Sequence, residues 1–109
     1  MERVYNKLVR DKIPDIIEEK GEIPIVKILE KEEYKKELER KLYEEYKEVL
    51  DAKSDDRIEE LADMLEIIRA LANLENKELD DILEIANSKK EKRGAFEKGI
   101  FLLKVIESK

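Results

Sequence analysis

Two stretches of helical period, joined by a short polar turn, constrain this chain more than any other feature. Between residues 32 and 52, Tyr34, Leu38, Leu42, Tyr46 and Val49 recur at spacings of three and four, which predicts one apolar stripe on a helix. Ser54, Asp55 and Asp56 follow with turn and N-cap chemistry. A second helix is predicted from there to about Leu74. So short a connection makes the two helices antiparallel neighbours, with axes about 8–10 Å apart.

The second helix carries acids where a surface helix would not. Glu59, Glu66 and Asn73 fall seven apart on a wet face, and Ile58, Leu61, Leu65, Ile68 and Ala72 form the expected core stripe. Glu60 and Asp63 lie on neither. They align with Ile67, Ala70 and Leu74, so two carboxylates open a face whose later turns are apolar. A helix apolar on two sides is buried over most of its circumference, and a buried carboxylate without a partner costs several kcal/mol or more.

The first helix holds a matching pair, Glu45 and Glu48, three apart beside the apolar stripe. In an antiparallel hairpin these come level with Glu60 and Asp63. Four converging carboxylates repel one another unless a hard cation joins them. Oxygen-only ligands suit magnesium, or manganese in its place. A blander arrangement competes: Glu45 with Lys41, and Glu60 with Arg57 or Lys53, as solvated ion pairs worth about a few tenths of a kcal/mol.

Composition narrows the chemistry. The 109 residues contain neither Cys nor His, so disulfides, thiolate or imidazole metal sites and a histidine base are excluded. Any catalysis must use carboxylates, Lys, Arg, Tyr or Ser. A net charge of −6 argues against duplex nucleic acid as a partner. A polyphosphate remains accessible if a divalent cation stands between the two sets of negative charge. Charged residues make up 48% of the chain and Gln is absent, a thermophile-like balance. No signal-peptide or membrane-length apolar run occurs, so a cytoplasmic chain without a membrane partner is expected.

The remaining segments are shorter. Residues 10–20 predict a helix capped by Asp11, tolerant of Pro14 in its first turn and ended by Gly21. Residues 23–29, rich in β-branched side chains, predict a strand, and residues 100–106 a second strand to pair with it. A third helix is predicted over 78–88, followed by a basic stretch ending at Gly94, taken as helix end or loop. One domain over residues 1–109 results: mainly α, a helical bundle with a minor two-stranded β element. Basic groups gather in two places, at Lys7, Arg10 and Lys12 and at Lys89, Lys90, Lys92 and Arg93. Either set could hold phosphates or be a solvated face. A G-x-x-x-x-G-K-[ST] loop is absent, which excludes a P-loop enzyme.

Taken in order, the motifs Lys7-Leu8-Val9-Arg10-Asp11-Lys12-Ile13-Pro14, Lys41-Leu42-x-Glu44-Glu45-x-x-Glu48, Glu59-Glu60-Leu61-Ala62-Asp63 and Lys92-Arg93-Gly94-x-Phe96 resemble the MazG-like all-α nucleoside triphosphate pyrophosphohydrolases. Within them the likeness is to a small single-domain branch, phosphoribosyl-ATP pyrophosphohydrolase-like. The eleven residues between Glu48 and Glu60 are slightly fewer than the family motif usually places there. The resemblance implies a MazG-like bundle and a magnesium-dependent cut between α- and β-phosphates, giving a nucleoside monophosphate and pyrophosphate in a nucleotide house-cleaning role. It implies Glu45, Glu48, Glu60 and Asp63 as metal ligands, Glu44 as a weaker candidate, and Glu45 or Glu48 as general base. Lys7, Arg10, Lys12, Lys89, Lys92 and Arg93 become phosphate contacts, and assembly as a homodimer or homotetramer is expected. Two alternatives stand beside it: a phosphoribosyl-ATP pyrophosphohydrolase on the same scaffold, and a non-catalytic helical oligomerisation module.

Overall fold

The computed structural model describes residues 1–108, which form four helices: α1 (Ile13–Glu19), α2 (Lys31–Asp51), α3 (Ser54–Leu74) and α4 (Leu79–Arg93). The architecture is mainly α. α2 and α3 form the long antiparallel hairpin, turning at Ala52 and Lys53, both in extended conformation. Its register follows from the turn. Leu38 and Ile67 stand equally far from it, and so do Glu45 and Glu60. Leu38 and Ile67 are both buried, which anchors the distal half of the hairpin through apolar burial.

The stripe on α2 is shifted from the expected one. Tyr34, Leu38, Leu42 and Val49 are buried or half-buried, but Tyr46 is exposed and Glu45 takes its place on the packed side. On α3 the expected core stripe splits. Ala72 is buried and Ile68 half-buried, whereas Ile58, Leu61 and Leu65 are exposed. The face turned to α2 is the one carrying Glu60, Asp63, Ile67, Ala70 and Leu74, all buried or half-buried. Two apolar faces compete on α3, and a single neighbouring helix can cover only one.

α1 begins two residues later than Asp11. Lys12 is its N-terminal flanking residue, no side chain caps it, and Pro14 occupies the first turn, where its missing N–H costs nothing. Gly21 follows the helix with φ +82°, and its N–H donates to the Glu18 carbonyl at 2.9 Å. Likewise no side chain caps α3; Lys53 precedes it. α3 ends at Leu74, where the helical pattern predicts, and Asn76 just beyond it takes φ +60°.

α4 runs five residues past its expected end at Ser88. The basic stretch is its last turn, with Lys90, Lys92 and Arg93 opposite the negative end of the helix dipole and Gly94 at φ +84° stopping it. At the other end the Glu78 N–H donates to Asp81 Oδ2 at 2.8 Å. α4 packs only at its start: Leu79 is buried and Asp81 half-buried, and every later residue of the helix is exposed.

No strand occurs among the described residues. Residues 23–29 and 100–106 do not pair, and Ile25 is 90% exposed and Ile28 93%. A two-stranded ribbon without a covering layer is marginal in water, and this single chain supplies none over either segment. The radius of gyration is 19.4 Å, with extents of 71 × 33 × 21 Å, against about 13 Å for a compact chain of this length.

Candidate metal centre

Glu45 projects from α2 into the hairpin seam, and Glu60 and Asp63 from the first two turns of α3. One oxygen from each of the three lies within 4.8 Å of the others, and all three residues are half-buried. They converge because Glu60 and Asp63 are three apart on one face and Glu45 is level with them across the antiparallel seam.

The electrostatics of this arrangement are unfavourable without a cation. Glu45 Oε2 is covered and accepts no hydrogen bond. Burial, then the adjoining Glu60 and the negative charges of Asp63 and Glu60, raise the proton affinity of Glu45, opposed by Lys41. Two adjoining carboxylates are most stable when one holds a proton, so the nearness of Glu60 favours the protonated form of Glu45. A divalent ion with oxygen ligands meets the same need without a proton, and these residues fit it in type and spacing.

Glu48 stands outside this set of three. It is exposed, on the wall of an open hollow of about 270 Å³ with Asp51, Ala52, Asp56, Glu59 and Glu60. Glu44 is half-buried and also lies outside the set. Glu45 and Glu60 form none of the ion pairs suggested for them with Lys41, Arg57 or Lys53 among the described residues.

Of the six basic candidates, the structure brings one to the cluster. Arg10 Nη2 donates to Asp63 Oδ1 at 2.8 Å, tying the segment before α1 to α3. Lys7, Lys12, Lys89, Lys92 and Arg93 are exposed and enter no ion pair among the described residues. Lys89, Lys92 and Arg93 sit at the unpacked end of α4. The sequence singles out Arg10 but not its partner, since 53 positions separate it from Asp63.

Comparison with protein-family models, curated proteins and solved structures finds no match to this chain. No helix among the described residues is long and apolar enough to cross a membrane. The case for a function therefore rests on the residues themselves.

Proposed function

We propose that this chain is a magnesium-dependent nucleoside triphosphate pyrophosphohydrolase of the MazG-like class, acting in the cytoplasm. It would cut between the α- and β-phosphates to release a nucleoside monophosphate and pyrophosphate. The observation that carries the reading is the meeting of oxygens from Glu45, Glu60 and Asp63 within 4.8 Å, with Glu45 Oε2 covered and accepting no hydrogen bond. Converging carboxylates lose hydration and repel one another, and a divalent cation among them would offset both costs.

In this reading Glu45, Glu60 and Asp63 hold Mg2+, or Mn2+ in its place, and Glu48 is a further ligand or base at the rim. The bound cation supplies charge neutralisation for the triphosphate and activation of a water. The chain's own groups do the remainder. As the water oxygen bonds to the α-phosphorus, Glu45 or Glu48 accepts its proton, and the α–β bridging oxygen leaves with pyrophosphate. Arg10, hydrogen-bonded to Asp63, would pair with phosphate oxygens through its planar fork of donors. Lys7 and Lys12 flank it in sequence, whereas Lys89, Lys92 and Arg93, at the unpacked end of α4, are not brought to the cluster.

The test is a product assay. Purified protein with magnesium should convert a triphosphate to monophosphate plus pyrophosphate, and Glu60→Gln should abolish this. Release of inorganic phosphate instead, or unchanged activity in Glu60→Gln, overturns the reading. Including phosphoribosyl-ATP among the substrates separates the two pyrophosphohydrolase alternatives.

A further inference from the structure

The seam that holds the acidic cluster has a polar edge and an apolar edge. At about 100° per residue, Lys41 and Glu48 fall to one side of Glu45 on α2, and Leu42 and Val49 to the other. On α3, Glu59 and Asp63 fall to one side of Glu60, and Leu61 and Met64 to the other. Two antiparallel helices are related by a two-fold axis normal to the plane that contains them, so these sides correspond. Lys41, Glu48, Glu59 and Asp63 share one edge, and half-buried Leu42, Val49 and Met64 line the opposite one. A charged ligand reaches the cluster from the polar edge, where it stays solvated on approach.

That edge changes sign along its length. Toward the α2–α3 turn lies the open hollow of about 270 Å³ lined by Glu48, Asp51, Ala52, Asp56, Glu59 and Glu60, with no Lys or Arg among them. Away from the turn stand two cations. Arg10 donates to Asp63 Oδ1 at 2.8 Å, and Asp63 is three residues further from the turn than Glu60. Lys41 is four residues further from it than Glu45, a rise of about 6 Å. The two positions are nearly level across the seam.

Lys41 stands apart from the other basic residues. Among the described residues it is the one Lys or Arg that is not exposed. It lies one helical turn before Glu45 on the same face, near enough to oppose the raised proton affinity of that carboxyl. Yet it enters no ion pair among the described residues, while Arg10 takes the neighbouring Asp63. A half-buried ammonium beside carboxylates but paired with none is free to meet an anion.

We infer that Lys41 contacts the substrate and, with Arg10, holds the β- and γ-phosphates, so that pyrophosphate departs along the polar edge away from the α2–α3 turn. The inference rests on the proposed pyrophosphohydrolase and fixes the direction of the triphosphate within it. Charge decides that direction. Pyrophosphate is the more highly charged product, and the acidic hollow toward the turn repels it. Lys41 and Arg10 offset the charge that develops as it leaves. The water oxygen bonds to the α-phosphorus and its proton goes to Glu45 or Glu48. The bond from the α-phosphorus to the bridging oxygen breaks, and its electron pair leaves with pyrophosphate toward the Lys41 ammonium.

Calorimetric titrations with pyrophosphate and with a nucleoside monophosphate, each at saturating magnesium, test this. Lys41→Met keeps most of the apolar stem and should weaken pyrophosphate binding about tenfold, with monophosphate affinity unchanged. Lys41→Arg should restore most of the loss. Manganese alone should bind Lys41→Met at least as tightly as the unsubstituted chain, because a neighbouring cation is gone; a residue that only ordered Glu45 would weaken it. A measurement on the unsubstituted chain stands beside the variants and decides if they do not fold. Pyrophosphate with magnesium should slow acetylation of the Lys41 amine, read by mass spectrometry, and the monophosphate should not. Equal pyrophosphate affinity in Lys41→Met, a loss confined to the monophosphate, or an unprotected Lys41 amine overturns the inference and leaves the enzymatic reading standing. An unsubstituted chain that releases no pyrophosphate from any triphosphate overturns both.

Discussion

Arg10 and Asp63 are joined by a hydrogen-bonded ion pair of 2.8 Å across 53 positions of sequence. The pair places a permanent positive charge beside a carboxylate that belongs to the acidic cluster of the α2–α3 seam. Both side chains are more than two-fifths exposed, so as a surface ion pair it contributes modestly to stability, about 1 kcal/mol or less. Under the proposed function its importance is positional: the guanidinium would meet a phosphate that approaches the carboxylates.

Replacing Arg10 separates these roles. In Arg10→Gln, Asp63 loses a competing cation, so manganese should bind several-fold more tightly in a titration followed by calorimetry. Turnover of a triphosphate should nonetheless fall, by about 10- to 100-fold, because a charge-assisted phosphate contact is lost. Weaker manganese binding in the variant would show instead that Arg10 orders Asp63 for the ion.

Metal binding should appear in the melting temperature without any substrate. A ligand at about 100 times its Kd stabilises the folded state by roughly 2.7 kcal/mol. Magnesium and manganese should therefore raise the melting temperature of the unsubstituted chain, and Glu60→Gln and Asp63→Asn should lose the rise. Sodium at matched ionic strength controls for screening.

How much of this was legible in the sequence differs by element. The hairpin was, because α2 and α3 each carry a helical period and share a short turn. The direction of Glu60 and Asp63 was too, because they align with Ile67 and Leu74, which are respectively buried and half-buried. The assignment of Ile58, Leu61 and Leu65 to the core failed in the single chain, since periodicity identifies an apolar face without saying which chain covers it. The Lys89–Arg93 stretch is legible only as helix end or loop, because its charge suits either; it is the end of α4, with basic residues in the last turn and Gly94 after it. The Arg10–Asp63 contact depends on tertiary approach, which no local pattern encodes. Three of the four carboxylates meet in the single chain, because Glu45 lies on the packed stripe while Glu48, one turn on, is exposed.

The hairpin itself should fail at Leu38, which is 3% exposed and the most buried residue of the core. Leu38→Ala removes buried methyl groups and leaves a cavity, at a cost of about 2–5 kcal/mol. Chemical denaturation should show this loss with little change in slope. Leu83→Ala, on the exposed part of α4, should cost much less in a dilute monomer.

The pH dependence of stability follows from Glu45. In the unfolded chain it titrates as an ordinary glutamate; in the hairpin, burial and the neighbouring Glu60 and Asp63 raise its proton affinity. Between the two pKa values the folded state holds more protons than the unfolded one, so this group's contribution to stability falls as pH rises through that window. Above the folded pKa the contribution is constant and unfavourable. Metal-free protein should accordingly lose melting temperature as the pH climbs out of the carboxylate range. Glu45→Gln should flatten that slope and raise the metal-free melting temperature at neutral pH by about a few degrees. The stabilisation due to manganese should run the other way, growing with pH, because the ion binds the deprotonated carboxylates and displaces the proton that Glu45 retains. Melting curves at a series of pH values, with and without manganese, test both slopes at once. A metal-free slope identical in Glu45→Gln and the unsubstituted chain would assign the pH dependence to other groups.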